Sequence, residues 1–578
     1  MILMTKTATV LQEHERAFVP KEFKVTTWSK LQPYYRDLLK RQINSRQDLE
    51  QWLKDKSELD AVVSEAFSWR YIKITVDSTD DKAESLYQYA VQELAPKITA
   101  LENELNQKLV TCSYAAHLEG GQYHIHLRSI RNAVNLFRKE NIPLATEIQL
   151  KSKEYVKIFS EMTIGVDGKQ MTLQKASSLL EEPSRIYREE VYHKIHARLL
   201  EETGSLDNLF DSLKDMRHGI AQNAGFDNFR DFKFKALGRF DYEVQDCENF
   251  HHSIKTEIVP LVDELNRYRK ETLALDQLRP WDLFVDPTGD QPLRPFQNID
   301  DLVEKSTECL YRVHPDFGQT LEIMNELGHL DLESRPGKRP GGYNMPLHLT
   351  GIPFIFMNAT TSLSDMRTLM HEAGHAAHSR LTSQYELKTA KRVPSEVAEL
   401  AAMSMELLTM EHWDVFFDDP EVLRRAKINQ LEYVLKVLPW IATIDKFQHW
   451  VYTNPNHVQE DRQEAWMSIM KSFNSPTIDH SGLENYLEHL WHKQLHIFEV
   501  PFYYIEYGMA QLGAIAIWKR YREEPDLAIG DYLKALKLGY TRNVREIYQA
   551  AGIEFNFSRD YVSELGAFVK EELKALID

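Results

Sequence analysis

The stretch TSLSDMRTLMHEAGHAAHSR, residues 361–380, decides how the rest of the chain is read. Ser362 followed by Asp365 makes a capping box, which starts a helix just after it. On that helix His371 and His375 stand one turn apart on a single face and can offer two imidazole nitrogens to one metal ion. Glu372, beside them, is placed to reach a water at the metal rather than the metal itself. Zinc suits such a set: it accepts imidazole and carboxylate and keeps an open position for chemistry. His378 shares the face, but seven residues span about 10 Å of helix axis, too far for it to join His371 at one ion.

A third ligand has to come from elsewhere. SEVAELAAMSMELLTM, residues 395–410, follows Pro394, a residue suited to a first helical turn. It offers Glu396, Glu399 and Glu406. The last two, seven apart, share a face, and Glu396 leans the same way. Spacing alone does not choose among them.

The rest of the chain agrees with a large folded protein. Its 578 residues are 43% hydrophobic and 27% charged, with only 23 Gly and 22 Pro, a balance that favours helix. Sixty-nine basic against 87 acidic residues give a net charge of -18, which disfavours nucleic acid as a partner. Cys112, Cys247 and Cys309 are scattered and odd in number, so neither a disulfide framework nor a thiolate metal site is expected. Without a secretory signal or a long apolar span, the expected location is the cytoplasm, away from membranes.

Residues 34–60 read as a helical hairpin, and Asp81 with Glu84 as a capping box ahead of a stripe through Ala83, Leu86, Ala90 and Leu94. Pro96 interrupts or kinks that stripe, which resumes at Leu101, Leu105 and Leu109. Tyr71 to Val76 alternates like a strand, and residues 161–173 read as a hairpin turning at Asp167-Gly168. Helix returns from about 176 to 280. His218, His251 and His252 within it lack metal spacing. A Pro-rich loop covers 280–299.

HEAGHAAH at 371–378 together with ELAAMSME at 399–406 resembles the signature of the M3 family of zinc metallopeptidases, and within it the oligoendopeptidase F and Pz-peptidase branch. The likeness extends over about residues 190–578, including Arg230-Asp-Phe and Arg239-Phe-Asp-Tyr242. It implies a mainly α, zincin-type fold: a large helical body, a deep substrate channel and a small β-sheet next to the HExxH helix. Residues 1–190 would form an N-terminal, mostly helical lobe with a β-hairpin, and 191–578 the catalytic region. The first glutamate of the family's E-x-x-S/A-x-x-x-E pattern is the third zinc ligand. That makes Glu399 the ligand, Glu406 an acid behind a zinc histidine and Glu396 structural. One Zn2+ per chain is implied.

The resemblance also gives work to HKQLHIFEVPFYYIEYG, residues 492–508. His496, Tyr504 and Tyr507 match the family's His and tyrosines that stabilise the tetrahedral intermediate, with the choice between Tyr503 and Tyr504 open. The implied reaction is endopeptidase cleavage of short unstructured peptides, with Glu372 as general base and no acyl-enzyme. A metallocarboxypeptidase or dipeptidyl carboxypeptidase on the same scaffold is the alternative, and a non-catalytic peptide-binding protein a remoter one. Arg335, Lys338 or Arg339, in the chain's most basic loop, could then hold a terminal carboxylate. Phe354 to Asn358 reads as an edge strand that pairs with extended substrate. Oligomeric state is not readable.

Overall fold

The computed structural model describes residues 16–288, 290–339 and 341–578. The expectation of no leader at residues 1–15 lies outside the described residues. Among the described residues helices dominate, and the strands are five: β1 (Thr163–Val166), β2 (Lys169–Thr172), β3 (Leu330–Glu333), β4 (Tyr343–Met345) and β5 (Phe354–Ala359). No helix among the described residues is long and apolar enough to cross a membrane.

Near the N-terminus the expected hairpin forms from helices Trp28–Lys40 and Arg46–Val76. The second is capped by the Ser45 side chain, which accepts from the Asp48 N–H. It runs on for 31 residues and takes in Tyr71–Val76, expected as a strand. Once a helix is nucleated, each further residue gains a hydrogen bond at low entropic cost. Ile72 and Thr75 bury from that helix as readily as from a sheet, and β-propensity mostly measures such packing. The Asp81 helix begins one residue earlier than read, with Asp80 accepting from the N–H groups of Lys82 and Ala83. Pro96 causes no break: a π-helical turn at Ala90–Leu94 precedes it, and helix Ala95–Thr111 starts with the proline in its first turn.

β1 and β2 pair antiparallel around Asp167 and Gly168, both at positive φ, as the two-residue turn requires. The second sheet has the order β3-β5-β4, with β5 parallel to β3 and antiparallel to β4. Here an expectation fails. β5 is central and buried at all six positions, so Phe354 to Asn358 cannot receive a substrate strand. An unbroken apolar run marks a strand covered on both faces. The edges beside it are β3 and β4.

One apolar core gathers the helices Leu363–Thr382, Ser395–Met410, Pro420–Thr453 and Tyr504–Glu523. A second is built from residues between Val19 and Leu127 and takes in Leu387 and Ala390. The segment between the two motif helices is therefore anchored in the N-terminal core. All three cysteines are free.

Candidate metal centre

Ser362 and Asp365 form the capping box as read: the Asp365 N–H donates to Ser362 Oγ at 3.2 Å and the Ser362 N–H to the Asp365 carboxylate at 2.9 Å. This fixes the start of the Leu363–Thr382 helix and the direction of its histidine face. The helix packs on Ser395–Met410. Between them sits Gly374, where a Cβ would lie 2.6 Å from the Ala401 carbonyl oxygen and 2.7 Å from the Ala402 Cα. Only glycine lets the two backbones approach this closely. Gly374→Ala should wedge the helices apart, destabilising the fold by about 1–3 kcal/mol and weakening metal uptake. Thermal melts and metal content of the variant check both effects.

The close approach brings three ligand groups together. The ligand atoms of His371, His375 and Glu399 all lie within 4.8 Å of one another. Glu399 Oε2 is 3.3 Å from His371 Nε2 and 3.6 Å from His375 Nε2. That oxygen is buried with no hydrogen-bond partner, whereas Oε1 accepts from the Tyr503 hydroxyl. An orphaned buried carboxylate oxygen is costly unless something positive meets it. Behind the cluster, His371 Nδ1 lies 2.8 Å from Glu406 Oε1. A proton on Nδ1 leaves Nε2 with its lone pair toward the cluster, and the acid raises the ring's basicity. Burial pushes His375 down to about 4, so it is neutral and able to ligate. Two nitrogens, one oxygen and a side open to a cavity make a group that could hold a metal ion.

Glu372 lies beside the cluster, with Oε2 also buried and unpartnered. Burial raises its carboxyl to about 7, opposed by His371 and assisted by Glu399 and Glu406. A bound cation acts the other way. Glu396 points elsewhere and accepts from the Tyr242 hydroxyl at 2.6 Å, while His378 is buried along the same cavity as the cluster. Two further groups of ligand type exist among the described residues, Asp207–His489–His492 and Cys247–Asp445–His449. In the first, Asp207 is already paired with Arg462. In the second, burial keeps the Cys247 thiol protonated, and Asp445 is held by His251 at 2.8 Å.

A cavity of about 430 Å³ opens over the cluster, lined by His371, Glu372, His375 and Glu399, by Tyr503 and Tyr507, and by Gly342, Tyr343 and Asn344 at the edge strand. Tyr503, not Tyr504, faces the cluster. The cause is Phe502, a buried residue at φ +67, whose N–H donates to Gln448 and whose carbonyl accepts from Arg239. This left-handed turn sets the register of the helix behind it, so Tyr503 and Tyr507, four apart, share the cavity face. The Tyr504 hydroxyl is directed instead at Trp440 and Gln494. His496 Nε2 is 3.4 Å from the Tyr507 hydroxyl, and its Nδ1 meets the Gln494 amide at 2.7 Å.

The basic loop does not meet the cavity. Lys338 is consumed by the carbonyls of Asp331, Glu333 and Met357 and by the Asp331 carboxylate. Arg335 pairs with Asp331, and Arg339 with Glu499 and Tyr71. The cations that do line it, Lys388, Lys391 and Arg392, were missed in the sequence. Their only signal there is position, between two helices that must meet.

The chain has relatives in sequence and in fold. The model of peptidase family M3 matches residues 178–567, and that of the peptidase M3 N-terminal domain matches 18–137. An oligoendopeptidase F homolog of Borreliella burgdorferi is 22% identical over 415 residues, covering 69% of this chain and 68% of its own. Oligopeptidase PepF of Bacillus subtilis is 22% identical over 505 residues, covering 82% and 72%. The structure of Pz peptidase A with inhibitor 2 superposes with a TM-score of 0.91 at 26% identity, covering 97% of this chain and 99% of its own.

Proposed function

The chain belongs to peptidase family M3, and from that premise we propose that it hydrolyses internal bonds of short unstructured peptides, using one zinc ion held by His371, His375 and Glu399. The observation that carries this reading is the convergence of the three ligand groups, with an unpartnered Glu399 oxygen, on a cavity that also holds an unpartnered Glu372 oxygen. When bound, the ion supplies Lewis acidity to the scissile carbonyl and to the attacking water. Glu372 takes the proton of that water and returns it to the leaving amine. Glu406 holds the His371 tautomer, and Tyr503 fixes Glu399. Tyr507, oriented by His496, donates to the oxygen on which charge develops. Substrate adds as a strand along the free edge of β4.

Tyr507→Phe should then lower kcat by roughly 100-fold. Tyr504→Phe should change it far less, because that hydroxyl serves Trp440 and Gln494. Equal losses in the two variants would remove Tyr507 from the mechanism. His496 is expected to follow Tyr507.

The proposed activity is tested by a length series around one invariant cleavage sequence. Peptides of about 10 residues, roughly 33 Å when extended, should be cut at an internal bond, and a folded protein should not. Reduced, unfolded casein cut as fast per accessible bond as the short peptide would remove the restriction to short peptides.

A further inference from the structure

The cavity over the cluster has a basic end, lined by His348, Lys388, Lys391 and Arg392. Burial first, and then the charges of these three cations, keep the His348 imidazole neutral, down to about 3. The fold itself holds the segment that carries the cations against the cavity. Leu387 and Ala390 are buried in the N-terminal core, and the Lys388 N–H donates to Ser57 Oγ. Glu65 ties the loop after His348 by accepting from the Leu349 and Thr350 N–H groups at 2.8 and 2.9 Å.

Lys388 has acids near it: its ammonium donates to the Asp60 carbonyl at 3.2 Å, and Asp60 and Glu102 act on its charge. Lys391 has none. Its one side-chain hydrogen bond to a described residue is a long 3.5 Å to the His348 carbonyl. Burial lowers its pKa to about 8. An ammonium carries three donors, and a half-buried one without an anion is costly. In a chain of net charge -18, such a cation on a cavity wall is placed for a negative ligand.

We propose that Lys391, with Arg392 beside it, receives a carboxylate of the bound peptide, giving the enzyme a preference for acidic groups at the position that reaches this end of the cavity. The inference rests on the peptidase reading above. The carboxylate is either the peptide's C-terminus or an Asp or Glu side chain, and both present the same oxygen pair to the same donors.

One peptide set separates these sources: Glu against Gln at each position around the scissile bond, and a free against an amidated C-terminus. For the wild type, one pair should differ by roughly tenfold or more in kcat/KM. Lys391→Gln should bring that ratio near one, and Lys391→Arg should keep most of it. Dissociation constants for the same pairs, measured in a Glu372→Gln background with and without Lys391→Gln, should show the same preference appear and vanish. Ratios near one for every pair in the wild type, or a ratio that survives Lys391→Gln, would overturn the proposal. If no peptide were cleaved, the peptidase reading would fail, while the binding comparison would still decide this one.

Discussion

Glu372→Gln is expected to leave fold and metal content unchanged and to lower hydrolysis by roughly 10²–10⁴-fold. Glutamine has nearly the same shape and can hydrogen-bond, but cannot take a proton at neutral pH. The fold should survive because the carboxylate it replaces carries no structural bond through Oε2, which is buried without a partner. Its removal also relieves repulsion with Glu399 and Glu406, both of which act on Glu372. Turnover of one internally cleaved peptide is compared at matched zinc content and melting temperature. Near-normal turnover would mean that another group takes the proton.

The second large effect separates two glutamates three residues apart. Glu399→Ala should weaken zinc by more than about 100-fold, since even the residues that merely support metal ligands are worth 10- to 100-fold. Glu396→Ala should keep zinc at one per chain. It should cost about 1–3 kcal/mol of stability, because the buried Tyr242 hydroxyl loses its acceptor. Metal analysis after dialysis against a weak chelator, alongside thermal melts, reads both. Zinc retained in the Glu399 variant and lost in the Glu396 variant would reverse the assignment.

How much of this was legible follows the range of the interactions. The metal helix is written locally: its cap, its period and its two histidines fall within about four turns. Which of Glu396, Glu399 and Glu406 stands beside the two histidines is set by packing across Gly374, a contact between distant segments. Tyr71–Val76 alternates locally but belongs to a helix begun 25 residues earlier, at Arg46. β5 was readable as a strand, yet whether it is an edge depends on β3 and β4, which pair with it from outside its own sequence. Tyr503 and Tyr504 are adjacent and chemically identical. What separates them is the turn at Phe502, held by Gln448 and Arg239. The loop at Arg335–Arg339 looked like a surface for ligands because composition does not reveal that Asp331 and Glu499 occupy its charges.

Anomalous diffraction at the zinc edge from crystals of the purified enzyme tests the central claim most directly. The account predicts one peak, about 2.0–2.2 Å from the ligand atoms of His371, His375 and Glu399, with Glu372 beside it and outside ligand distance. A peak at Asp207–His489–His492 or at Cys247–Asp445–His449, with none at the first cluster, would contradict it.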